Sequence, residues 1–153
     1  MIIERSGFAG IGKYGSRWMG DNWANQDYMG FSLVGVQAHN IYGIPLVGSD
    51  ICGFLSATNP ELCARWHVVG SFYPFSRNHN ENNAPSQEPW VFTEIYENNT
   101  TYFDIMIQAI KNKYRIAKYY YTQMYQLSKN GGSFIQPLFF QFPKDVNSRE
   151  DQM

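Results

Sequence analysis

The chain has 153 residues, 44% of them hydrophobic and 17% aromatic, which suits one domain or part of a larger one and argues against disorder. Twelve Lys and Arg against thirteen Asp and Glu leave a net charge of −1, so neither nucleic acid nor an anionic membrane surface is an expected partner. No apolar run approaches the roughly 20 residues of a membrane span. Met1-Ile2-Ile3 is too short for a signal-peptide core, so any targeting signal is absent or lies upstream.

Ile2-Ile3 leading to Arg5 reads as a short strand, followed by a Gly-rich loop from Ser6 to Gly15. Gly10-Ile11-Gly12-Lys13 lacks the spacing and the Ser/Thr of a phosphate-binding P-loop, so no nucleotide cofactor is expected. Met29, Leu33, Val34 and Val36 to Ala38 predict a helix between Asp27 and His39. Ile41 to Gly48 reads as a buried parallel strand ending at Asp50. Asn59-Pro60-Glu61 combines an N-cap, a first-turn proline and an acid at the positive dipole end, predicting a helix to Val69 that stops at Gly70. Ser71 to Phe75 is read as a strand delivering Arg77-Asn78-His79-Asn80, and Glu81 to Pro89 as a loop. Phe103, Met106, Ile107, Ile110, Tyr114, Ala117, Tyr121 and Met124 keep helical spacing up to Asn130-Gly131-Gly132. Phe134 to Phe142 reads as a last apolar strand and Val146 to Met153 as a polar tail.

Strand and helix alternate, which is the pattern of a parallel α/β fold. Polar groups at the carboxyl ends of successive strands, Arg5, Asp21, Asp50 and His79, are what the active face of a (β/α)8 barrel requires. Such a barrel takes about 250 residues, so this chain holds roughly its second half. Within Arg17-Trp18-Met19-Gly20-Asp21-Asn22 an indole stands next to a carboxylic acid. The ring can cover the C–H face of a sugar and the acid can protonate a glycosidic oxygen. Arg5 and Asp50 could equally form a buried ion pair at the barrel mouth. His39 and His67 read as structural, and Asp27 and Asp104 as helix-start acids. Cys52 and Cys63 stand 11 positions apart, and on count alone either a disulfide or two buried thiols fits. Two cysteines cannot complete a zinc site alone, and no metal is expected. Asn98 and Asn99 begin two overlapping N-glycosylation sequons.

The motifs Arg5-Ser6-Gly7-Phe8-Ala9-Gly10, Trp18-Met19-Gly20-Asp21-Asn22, Gly48-Ser49-Asp50-Ile51-Cys52-Gly53-Phe54 and Phe72 to Asn80 follow in order. Gln87-Glu88-Pro89-Trp90 and Gln136 to Pro143 continue the series. Together they resemble glycoside hydrolase family 31, most closely its α-glucosidases of the lysosomal and intestinal type. The resemblance implies strands five to eight of the catalytic barrel over residues 1–132. It implies the first strand of a following β-sandwich domain, with the polar tail, over residues 133–153. It further implies retaining hydrolysis of terminal α-linked glucose from oligosaccharides without a cofactor. Asp21 matches the general acid/base. Arg5, Asp50 and His79 match residues that bind glucose hydroxyls, and Trp18, Phe54 and Arg77 match the pocket walls. Cys52 and Cys63 match a disulfide of the lysosomal-type members, and a lysosomal or secreted location follows from the same likeness. Burial of Asp21 against Trp18 and the charge of a second carboxylate would favour its protonated form.

The chain departs from the family pattern at one decisive place. The nucleophilic Asp, in a Trp-x-Asp-Met-Asn-Glu-type motif on strand four, does not occur in these residues. Smaller departures are Ser16 and Arg17, where animal members tend to carry Gly-His. Two readings follow: an α-glucosidase whose barrel is completed by a missing N-terminal half, or a non-catalytic remnant that binds sugar or a partner chain.

Overall fold

Four short parallel strands form the frame, each followed by a loop on the same side. The computed structural model describes residues 2–150. β1 (Ile3–Glu4) pairs with β2 (Ser16–Trp18), placing Ile3 opposite Ser16 and Glu4 opposite Arg17. β2 pairs in turn with β3 (Val47–Gly48). After Ser49 the chain continues as β4 (Asp50–Ile51), which pairs with β5 (Arg77–Asn78) so that Asp50 faces Arg77. β3 and β4 are thus one strand path that binds β2 along its first half and β5 along its second. The order of strands in space follows their order in the chain, as in a barrel wall.

The connections are helical where residues allow. α1 (Gln26–Ile41) starts at Asn25, whose side chain accepts the Tyr28 N–H at 2.9 Å. Gly35 sits on α1 where a Cβ would lie 2.5 Å from Met19 Sδ, so a glycine lets the helix close on the loop after β2. α2 (Pro60–Gly70) has the expected Asn59 cap, bonded to the Leu62 N–H at 2.9 Å. It buries Leu62, Cys63, Ala64, Trp66 and His67 against β4 and α3. α3 (Tyr102–Asn130) opens on a reciprocal capping box between Thr101 and Asp104. The core gathers Val36, Val47, Ile51, Leu62, Trp66, Tyr73, Phe92 and Met106. A disulfide joins Cys52, at the end of β4, to Cys63 of α2.

Several expected strands are shorter or absent. Residues from Ile41 to Gly43 end α1 and turn, so the strand there begins only at Val47. Ser71–Phe75 is a helix-exit turn: Phe72 and Tyr73 N–H groups bond the carbonyls of Val69 and Gly70, and the strand starts at Arg77. Phe134–Phe142 forms no strand. Asn40 Oδ1 accepts the N–H groups of Phe134 and Ile135 at 2.9 and 3.0 Å, donors a sheet neighbour would otherwise use. Pro137 then leads into α4 (Leu138–Gln141). The polar tail holds α5 (Asn147–Glu150), and Asp151–Met153 lie outside the described residues. One hairpin escapes the sequence reading. β6 (Ile95–Glu97) and β7 (Thr100–Thr101) flank Asn98-Asn99, both at positive φ (47° and 59°), the backbone of a two-residue primed turn.

Candidate active site

The loops that leave the carboxyl ends of β2, β4 and β5 converge on Asp50. Its carboxylate has no exposed surface and is bonded from two sides. Arg77, its in-register neighbour on β5, donates from Nε and Nη2 to Oδ1 at 3.0 and 2.5 Å. Trp18, the last residue of β2, donates its indole N–H to Oδ2 at 2.8 Å. Burial pushes the Asp50 carboxyl above its ordinary value, while the bonds and charge of Arg77, the Trp18 indole and the charge of His79 pull against that rise. The buried acid is therefore paired with Arg77, not with Arg5.

Aromatic rings extend from this knot along one side. The Arg77 guanidinium lies 5.1 Å from the Trp18 ring centroid and that of Arg5 lies 5.8 Å from it, so two cations share one indole. Phe54 meets Trp18 edge-on at 6.4 Å, and His79 lies 5.2 Å from Phe54. Arg5 and His79 are both exposed. Gly20, at φ 94°, makes the Arg5 arrangement possible, since a Cβ there would stand 3.2 Å from Arg5 Nε. The structure thus brings Arg5, Trp18, Asp50, Phe54, Arg77 and His79 into one continuous group.

Asp21 stands apart from that group's bonding. It is exposed and forms no hydrogen bond or ion pair with another described residue. It borders a cavity of about 170 Å³ lined by Met19, Gly20, Asn22, Tyr28, Ser32 and Ser49, among others. The expected burial of its carboxyl against Trp18 is not supplied, because Gly20 turns the chain and leaves Asp21 facing outward. An unpartnered acid beside a slot is free to exchange protons with a bound molecule.

Two buried amides that the sequence reading passed over hold these loops. Asn22 donates to Ser49 Oγ at 3.0 Å and to the Asp50 carbonyl at 2.9 Å, and its Oδ1 accepts the Phe54 N–H at 3.2 Å. Gln87 bonds the loops after β4 and β5. Both sit inside quoted motifs, next to residues with more obvious chemistry, which is where a search for buried amides would look. Glu4 and Arg17, opposite each other on β1 and β2, form a further ion pair at 3.1 Å. His67 and His39 are structural as read: their Nδ1 atoms bond the carbonyls of Cys63 (2.8 Å) and Gly35 (2.7 Å). The side chains of Cys52, Cys63 and His67 cluster within 4.8 Å, but the disulfide leaves no thiolate to bind a metal.

This geometry has close relatives. Residues 1–123 match the profile described as the glycosyl hydrolases family 31 TIM-barrel domain. An uncharacterized family 31 glucosidase of Schizosaccharomyces pombe is 42% identical over 144 residues, 94% of this chain and 14% of that protein. The lysosomal α-glucosidase of Bos taurus is 42% identical over 147 residues, 96% of this chain and 15% of that protein. Among solved structures, a glucosidase II α subunit bound to Glc1Man2 superposes with a TM-score of 0.87 at 31% identity, covering 95% of this chain and 15% of its own. The chain therefore spans about one seventh of the length of these relatives. With a family profile matching most of its length, the chain belongs to glycosyl hydrolase family 31.

Proposed function

We propose that this chain supplies the acid/base side of a retaining α-glucosidase active site. Asp21 protonates the leaving glycosidic oxygen and later deprotonates the incoming water. Arg5, Asp50 and His79 bind hydroxyls of a terminal α-linked glucose, with Asp50 as an acceptor. Trp18, Phe54 and Arg77 wall the subsite. The second carboxylate, the nucleophile about 5–5.5 Å from the acid in a retaining enzyme, comes from polypeptide other than these 153 residues. That partner is the complementary half of the barrel, which would cover the open edges of β1 and β5. Residues 1–132 belong to the barrel and 133–153 to the start of a following domain. A lysosomal or extracellular setting agrees with the disulfide and with sugar attachment at Asn98 or Asn99, both exposed at the hairpin tip.

The single observation carrying this reading is the joining of Arg5, Trp18, Asp50, Phe54, Arg77 and His79 into one group at the strand ends, with the unpartnered Asp21 on the loop that follows Trp18. The test is a chimera of the bovine lysosomal α-glucosidase carrying this chain in place of its matching segment. It should hydrolyse a chromogenic α-glucoside, whereas the isolated chain should not. Asp21→Ala in the chimera should lower kcat by about 10²–10⁴-fold, and azide should restore turnover of an activated substrate. A folded chimera without turnover, or an Asp21→Ala variant indifferent to azide, would show the assignment to be wrong. Turnover by the isolated chain would refute the external nucleophile.

A further inference from the structure

Gln87 belongs to none of the strands whose ends form the site, yet it is 4% exposed and touches two of them. Its Nε2 lies 2.8 Å from Asn78 Oδ1, 3.1 Å from the Gly53 carbonyl, 3.2 Å from that of Ile51 and 3.3 Å from that of His79. In return, Asn78 Nδ2 donates to the Gln87 carbonyl at 2.8 Å. Ile51 and Gly53 flank the end of β4 just past Asp50, and Asn78 and His79 come just past Arg77. One amide with two N–H groups thus faces four acceptors drawn from both loops. No other uncharged side chain of that length carries two N–H donors.

We propose that Gln87 is a positioning residue that sets where His79 stands relative to the Asp50–Arg77 pair. The His79 ring is exposed and lies tilted against Phe54, so the placement of its loop depends on what grips the backbone. Gln87 grips it at the His79 carbonyl and ties it to the loop that follows Asp50. The proposal rests on the reading of the strand ends as a sugar-cleaving site, and it is testable apart from that reading.

Two variants separate positioning from mere support of the fold. Gln87→Met fills a similar volume without donors. Gln87→Glu keeps the shape, but its ionised form has no donor and its protonated form has one. In the chimera, rates are normalised to active sites titrated with a 5-fluoroglycosyl fluoride inactivator. Gln87→Met should lose about 10–100-fold in kcat/KM, the scale expected for displacement of a contact group by up to 1 Å. Gln87→Glu should lose as much at pH 7 and recover at least about fivefold relative to the parent near pH 4.5, as its carboxyl takes up a proton. In the purified chain, the NMR chemical shifts of the His79 ring, which lies 5.2 Å from the Phe54 ring, should move in Gln87→Met. Unchanged kcat/KM per titrated site, or unchanged His79 ring chemical shifts, overturns the proposal. A folded but inactive parent chimera, together with moved His79 ring chemical shifts in Gln87→Met, overturns the catalytic reading and sustains the positioning role.

Discussion

The strand-end knot and the long helix α3 treat burial in opposite ways. Around Asp50 the buried polar side chains find partners: the carboxylate bonds Arg77 and Trp18, Asn22 bonds three groups, and Gln87 bonds two loops. Along α3 the apolar stripe is the clearest in the sequence, yet of its 29 residues only Met106 and Ala109 are fully covered. Tyr114 and Tyr121, both on the predicted inward stripe, are 77% and 78% exposed. Periodicity reveals which face a helix needs to bury and says nothing about whether a partner is present to bury it. The site region is self-sufficient in its bonding, whereas α3 presents a face that calls for cover.

Breaking the knot should cost most. Arg77→Ala leaves the Asp50 carboxylate buried without a counter-charge, so the purified chain should lose about 3–5 kcal/mol in urea denaturation. The sign of its pH dependence follows from the raised carboxyl. A folded value above the unfolded one means the native state holds its proton longer, so stability falls as pH rises from the ordinary carboxylate value through the raised one. Removing Arg77 takes away a group that pulls the value down, so the variant should be rescued in part by acid. Tyr121→Ala on the open stripe should stay within about 0.5 kcal/mol. Equal losses in the two variants would erase the contrast between the regions.

The disulfide is the next strongest tie. Cys52–Cys63 closes a short loop between β4 and α2, and the chain-entropy argument gives about 3 kcal/mol for a loop of this size. Cys52→Ser with Cys63→Ser should lower the denaturation midpoint accordingly and should broaden NMR signals after β4 while sparing the distal half of α3. Uniform broadening along α3 would mean that the two regions are mechanically coupled after all.

What the sequence made legible divides along the same line. The cap at Asn59 and the Gly131 stop depend on a few adjacent residues, so local chemistry sufficed. The apolar run Phe134–Phe142 misled because hydrophobicity alone does not distinguish a strand from a packed turn. The deciding bond comes from Asn40, 94 positions away from Phe134. The partner of Asp50 was equally hidden. Arg5 and Arg77 both stand at strand ends, and only the register of β4 on β5 selects Arg77. Asp21 was legible as an acid near Trp18, but the turn at Gly20 that exposes it has no signature beyond the glycine itself.

The smallest effect concerns His67, which joins the two regions from beneath. It lies on α2 behind the disulfide, with Nδ1 bonded to the Cys63 carbonyl, and burial holds its ring below the ordinary value of 6.5. The unfolded chain therefore takes up a proton at a pH where the native one does not. Stability from this residue is full above 6.5 and declines as pH falls from there through the lowered folded value. A one-unit difference corresponds to about 1.4 kcal/mol. His67→Gln should flatten the slope of stability against pH between 6.5 and the lower value, measured as the difference from the parent so that the opposite-signed contribution of Asp50 cancels. If the slope is unchanged in the variant, the acid sensitivity arises in a group other than His67, since the raised carboxyl of Asp50 acts in the opposite direction.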